Sequence, residues 1–179
     1  DEVFADLDGY RDALEGRGAA LNVVSLVGHA ALRLAVMGFE QRSATDDERQ
    51  AMQRLLAVQL AQGAAGLSTG LTYPPSALAE PAEITALAAV CAAADRIYAT
   101  HARGLAGNET GAIDEAIEVA RVTGVQLEYS HLALNNPDNW GRAQDSLQRF
   151  ESAVADGLTV GFDVYPYDAS SSSAVQYLP

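Results

Sequence analysis

The stretch "EPAEITALAAVCAAADRIYATHARG", residues 80–104, decides the fold. It starts with Pro81 in the first turn of a run whose apolar positions recur at helical spacing. After Asp95 and Arg96 the pattern changes to the short, β-rich "IYATH", which ends on a histidine. A helix followed at once by a strand is one half of a βαβ crossover, so the question is whether the pattern repeats.

It repeats on both sides. Downstream, "NETGAIDEAIEVARVTG" (108–124) predicts a helix ending at Gly124, and "VQLEYSH" (125–131) a strand that again closes on a histidine. "NWGRAQDSLQRFESAVADG" (139–157) predicts a further helix, and "TVGFDVYPY" (159–167) a further strand. Upstream, "TDDERQAMQRLLAVQLAQG" (45–63) has an acidic start, helical periodicity and a terminal glycine, and "GAAGLSTGLTYPP" (63–75) is strand-like up to Pro74 and Pro75. "LNVVSLVGHAALR" (21–33) opens with a short apolar run closed by Gly28 and continues towards a polar turn. Five strands alternating with helices at intervals of about thirty residues predict an α/β fold with a parallel sheet and outer helices.

Such strands form a doubly wound sheet or a (β/α)8 barrel. No GxGxxG follows the first strand, which removes the main support for a dinucleotide-binding sheet. The chemically informative residues sit where strands end: His29, Ser68, Thr69, Tyr73, His101, Arg103, His131, Asp163, Tyr165 and Tyr167. In a barrel those ends share one rim, where the active sites of that fold are built. Five strands do not close a barrel and would leave parallel edges unpaired. Residues 1–179 are therefore expected to be an internal segment of a partial (β/α)8 barrel whose first and last strands lie elsewhere.

Composition narrows the chemistry. The chain is 49% hydrophobic and 20% charged, as globular domains are. Its net charge of −13 argues against nucleic acid and anionic membrane surfaces as partners. All 11 cationic side chains are arginine, so within these residues there is no Schiff-base or carbamylated lysine and no phosphate-binding loop of the Walker kind. Abundant alanine, with arginine in place of lysine, resembles high-GC bacterial coding. The single cysteine, Cys91, lies among alanines in a predicted helix and is expected in the core, and its isolation suits a reducing, cytoplasmic compartment. No apolar run approaches the roughly 18 residues of a membrane span, and the acidic start is unlike a secretory signal.

His101 and His131, at equivalent ends of consecutive strands, are placed to reach one ion. Two imidazoles suit zinc, which in catalytic sites takes three protein ligands and an open position, so a third ligand must come from elsewhere. His29 is a candidate by position, and a structural or substrate-side role is as well supported. Thr72 and Tyr73 lie in a proline-fixed turn that can line a pocket or serve only as a turn. Asp163 can coordinate or orient, and Tyr165 can donate to a carboxylate. Trp140 reads as a packing anchor at a helix start. The serine run 170–173 carries no nucleophile elbow and reads as a flexible loop.

Taken in order, "NVVSLVGHAALR" (22–33), "GAAGLSTGLTYPP" (63–75), "IYATHARG" (97–104), "GVQLEYSHL" (124–132), "NWGRA" (139–143) and "DVYPYDA" (163–169) resemble the D-aminoacylase family, the N-acyl-D-amino-acid deacylases of the amidohydrolase superfamily. The resemblance implies a distorted barrel of which these would be the third to seventh strands. It implies Zn2+ held by His101 and His131, and hydrolysis of a small acylated amine or amide, most like deacylation of an N-acyl-D-amino acid. Thr72, Tyr73, Arg103 and Tyr165 would face the substrate. The remaining metal ligands and the catalytic aspartate are expected outside this segment. Where the family carries a lysine two places after the sixth-strand histidine, this chain has Ala133. Either Arg103 takes over the substrate carboxylate or the substrate lacks one there. The alternatives are a cyclic-amide hydrolase of the hydantoinase or dihydroorotase kind, which the lack of a carbamylated lysine in the fourth strand, "GAAGLSTGL", disfavours, and a non-catalytic relative with a decayed site, which Ala133 in place of the family lysine would fit.

Overall fold

The computed structural model describes residue 4, residues 6–103, residues 108–169 and residue 171. Five parallel strands form one sheet in the order β1-β2-β3-β4-β5. They are β1 (Val27–Gly28), β2 (Gly66–Gly70), β3 (Ile97–His101), β4 (Gln126–Tyr129) and β5 (Val160–Phe162). Each strand pairs with the next in sequence, and the order never reverses. A doubly wound sheet needs such a reversal, so the winding is that of a barrel. Between the strands run α2 (His29–Met37) and α3 (Asp46–Ala61), then α4 (Pro81–Ala93), α5 (Glu109–Thr123) and α6 (Ala143–Ala155), while α1 (Leu7–Arg17) precedes them all.

The local reasons for these elements were mostly written in the sequence. Thr45 and Glu48 cap α3 reciprocally: Glu48 N donates to Thr45 Oγ1 at 3.3 Å and Thr45 N to a Glu48 carboxylate oxygen at 2.8 Å. Pro81 opens α4, where its missing N–H leaves nothing unpaired. Gly124 ends α5 at φ 73°, and its N–H closes on Ala120 O at 2.8 Å.

Two expectations are corrected. "VGHAALR" does not run into a polar turn: His29 begins α2, and the strand before it spans only Val27–Gly28. Trp140 is no packing anchor, being 68% exposed, and α6 begins three residues later at Ala143. The serine run 170–173 lies outside the described residues except for Ser171.

Register explains why the two faces of the sheet differ. In a parallel ladder, paired residues point the same way and alternate along each strand. Leu67, Tyr98, Leu127 and Val160 are in register, as are Thr69, Thr100, Tyr129 and Phe162 two residues on. This face packs beneath the helices, with Met52, Leu56, Ile84, Leu87 and Ile113 fully buried against Leu67, Tyr98 and Leu127. Apart from Ile97, the opposite face carries small or polar residues: Gly66, Ser68, Gly70, Ala99, His101, Gln126, Glu128 and Gly161. A Cβ on Gly66 would lie 2.0 Å from Ile97 O, so only glycine fits where β2 and β3 draw together. His101 therefore stands on the face turned away from the helices.

Candidate functional site

His101 is the last residue of β3, and strand pairing fixes its backbone. His131 lies two residues past β4 in a left-handed turn, at φ 42°. That conformation is unfavourable for a side-chain-bearing residue and is held from outside. Asp163, just past β5, accepts from His131 N at 2.5 Å through Oδ1 and from Leu132 N at 2.8 Å through its carbonyl, while its own N–H donates to Tyr129 O at 3.1 Å. Asp163 thus orients the turn that carries His131.

The two imidazoles meet. His101 Nδ1 and His131 Nε2 are 2.7 Å apart, with ring centroids 4.5 Å apart and planes at 70°. Burial and the neighbouring His131 push the His101 imidazole below its ordinary pKa, towards the neutral form in which a ring nitrogen can ligate. Tyr73 and Tyr165 flank the pair, with ring centroids 5.2 Å from His101 and 6.4 Å from His131.

Thr72 lies against the histidine pair. Its hydroxyl lies 2.8 Å from His101 Nε2, the nitrogen opposite the one facing His131. The hydroxyl orients the histidine. Arg103 Nε donates to both Glu115 carboxylate oxygens at 2.9 and 3.0 Å, and Nη2 donates to Ala79 O at 2.9 Å. The third nitrogen, Nη1, reaches Ala77 O at 3.4 Å. With every nitrogen engaged, this guanidinium braces the turn after β2.

Two imidazole nitrogens converge, one from each of two adjacent strand ends, which is the ligand type zinc prefers. Two nitrogens at about 2.0–2.1 Å on one tetrahedral ion stand about 3.3 Å apart, so the pair needs to open by only roughly half an ångström. Among the described residues no group of three His, Cys, Asp or Glu side chains converges. These residues therefore fit half of a zinc site. Cys91 supplies no further ligand: it is fully buried in α4, and burial pushes its thiol up to about 11.

His29 belongs to another cluster, and sequence reasoning missed its partners. It is fully buried, with Nε2 2.6 Å from Glu83 Oε1 and Nδ1 3.0 Å from Ser76 Oγ. Arg33 Nη1 contacts the two Glu83 oxygens at 2.8 and 2.6 Å, and Nη2 donates to Arg42 O at 2.5 Å. Burial raises the Glu83 carboxyl, but the hydrogen bonds from His29 and Arg33 outweigh it and hold the group below its ordinary range. The signal was available as the i, i+4 spacing of His29 and Arg33, which lines both up on one helix face once α2 is recognised.

No family model matches the chain. Among curated proteins it is 41% identical over 170 residues to N-acyl-D-glutamate deacylase of Alcaligenes xylosoxydans xylosoxydans, covering 95% of this chain and 35% of that protein. It is 40% identical over 175 residues to D-aminoacylase of the same organism, covering 98% of this chain and 35% of that protein. Among solved structures, N-acyl-D-glutamate deacylase from Bordetella bronchiseptica, complexed with zinc and a phosphonate inhibitor, superposes with a TM-score of 0.88 at 41% identity. That match covers 93% of this chain and 35% of the solved one. Over nearly all of its own length, the chain is thus homologous to a segment amounting to about a third of the N-acyl-D-amino-acid deacylases of the amidohydrolase superfamily, and carries the corresponding part of their barrel.

Proposed function

We propose that this chain is part of a zinc-dependent amidohydrolase that removes the acyl group from an N-acyl-D-amino acid. The observation that carries the reading is the convergence of His101 Nδ1 and His131 Nε2 at 2.7 Å on the strand-end rim, in a chain about 40% identical to proteins named for that activity. The sheet, in this reading, is completed by strands outside residues 1–179. Those strands also supply the remaining metal ligands and the aspartate that carries the proton to the leaving amine.

His101 Nδ1 and His131 Nε2 would hold the zinc, which when bound supplies an activated water near neutral pH and polarises a carbonyl oxygen. Thr72 and Asp163 serve these histidines. The hydroxyl at His101 Nε2 sets which nitrogen faces the metal, and the Asp163 carboxylate fixes the strained turn that presents His131. Tyr73 and Tyr165 bracket the substrate on either side of the pair, where each offers an apolar ring and a hydroxyl. The hollow next to His131 in the chain is lined by Leu132, Ala133, Trp140, Tyr165, Tyr167 and Asp168 among others. None of these is a cation, so a substrate carboxylate would be met by groups outside the described residues.

Among the described residues no helix is long and apolar enough to cross a membrane. The lone cysteine, buried in α4, supports a reducing, cytoplasmic compartment within the same reading. The test is turnover by the full-length protein of N-acetyl-D-glutamate, N-acetyl-D-aspartate and uncharged N-acetyl-D-amino acids against their L-enantiomers. Release of free D-amino acid that chelation abolishes and zinc restores is the predicted result. Equal or exclusive turnover of the L-series, or turnover unaffected by chelation, would sink the reading.

A further inference from the structure

The cluster around His29 takes charged groups fully out of water. His29, Arg33, Glu83 and Ser76 are each at most 1% exposed. Burying an ion pair is often no better for stability than apolar groups of the same volume. Arg33 Nε moreover has no hydrogen-bond partner among the described residues. The cluster does have a consistent direction. Arg33 is a permanent cation, so Glu83 beside it is a carboxylate and can only accept. His29 Nε2, 2.6 Å from Glu83 Oε1, must then carry a proton, and in the neutral ring Nδ1 is left to accept from Ser76 Oγ at 3.0 Å. Ser76 is too buried to act as a nucleophile, although a serine, a histidine and a carboxylate stand in line.

What Ser76 does is tie the cluster to the turn between β2 and α4. Ala77 N donates to Tyr73 O at 2.8 Å, and Tyr73 N donates to Gly70 O at 3.1 Å. Arg103 holds the far side of the same turn through Ala79 O at 2.9 Å. Thr72 lies inside this braced segment, with its hydroxyl on His101 Nε2 at 2.8 Å.

We propose that the buried Arg33–Glu83–His29 cluster is a positioning device for the histidine pair. Through Ser76 it holds the 70–76 turn so that Thr72 accepts from His101 Nε2–H, which leaves the Nδ1 lone pair of His101 turned towards His131. His29, Glu83, Ser76 and Thr72 are positioning residues in this scheme. The zinc reading above gives the device its purpose, but its effect is visible in the protein without metal.

The test uses the full-length protein, stripped of metal and labelled with 15N in its histidine rings, with the His101 signals identified by their loss in His101→Asn. Long-range 1H–15N correlation spectra should place the His101 proton on Nε2. Thr72→Val and Ser76→Ala should each convert that single tautomer into a mixture, and Thr72→Ser should restore it. Zinc affinity, read by competition with a chelator, should fall about 10- to 100-fold in Thr72→Val. It should fall by part of that factor in Ser76→Ala, with no further loss when Ser76→Ala is added to Thr72→Val. Ser76→Cys replaces Ser76→Ala if the latter does not fold. A wild-type proton on Nδ1, an unchanged tautomer in the Ser76 variant, or losses that multiply in the double variant would overturn the proposal. A wild type that binds no zinc yet keeps the Nε2 proton, and loses it in Ser76→Ala, upholds the device and contradicts the zinc reading.

Discussion

Replacing Glu83 by alanine should be among the most destabilising single changes in this chain, and the structure gives the reason. The carboxylate receives Arg33 Nη1 on both oxygens, at 2.8 and 2.6 Å, and His29 Nε2 at 2.6 Å. Removing it leaves the Arg33 cation, itself fully buried, with Arg42 O as its remaining contact and an orphaned Nε. Breaking a buried pair from one side costs about 3–5 kcal/mol, because the surviving charge is uncompensated. The three lost contacts, each charge-assisted and individually about 1.5–3 kcal/mol, support the upper end of that range. Urea unfolding of the full-length protein, followed by circular dichroism, reads the loss as a lower midpoint. The double change Arg33→Met with Glu83→Leu should recover most of the loss, since the lone charge is then gone. The reasoning is refuted if Glu83→Ala costs under about 1 kcal/mol, or if the double variant costs the sum of the two singles. The pH dependence has a definite sign. The folded carboxyl titrates below its ordinary value of 4.5, so its stabilisation is present above that value and disappears as pH falls through the lower, folded one.

Other outcomes follow from the same geometry. His101→Asn or His131→Asn should abolish hydrolysis while leaving the circular dichroism spectrum unchanged; retained turnover in both would remove the pair from the chemistry. Gly66→Ala drives a methyl to 2.0 Å from Ile97 O and should cost roughly 1–3 kcal/mol or more, read as a lower melting temperature, with an unchanged value counting against the β2–β3 spacing. Cys91 should resist a thiol reagent in the native protein and react on unfolding, because it is fully buried with its thiol pushed up to about 11. Rapid native labelling would contradict that placement.

Where sequence was enough, the information was local. The strand and helix alternation from 45 to 162 follows from periodicity, caps and terminal glycines, and the structure places α3 to α6 within the stretches so marked. The rim position of His101 and His131 also followed, since each ends an apolar strand pattern. What sequence hid was decided by tertiary contacts. The strand at Val27–Gly28 is marked by the apolar run before Gly28, but "HAALRLAVM" lacks an N-cap side chain, so α2 does not announce itself. The hydrogen-bond partners of Arg103 and Thr72, Glu115 and His101, lie 12 and 29 residues away and are chosen by packing. The Glu83 cluster joins residues 50 and 54 positions apart, beyond any local pattern.

The central claim is that His101 and His131 are two ligands of one metal ion. The most direct measurement is a crystal structure of the zinc-loaded full-length protein with anomalous data collected on both sides of the zinc edge. The expected result is an anomalous peak between His101 Nδ1 and His131 Nε2, at about 2.0–2.1 Å from each, with Thr72 still on His101 Nε2. No peak there, with the two rings remaining hydrogen-bonded to each other, would contradict it.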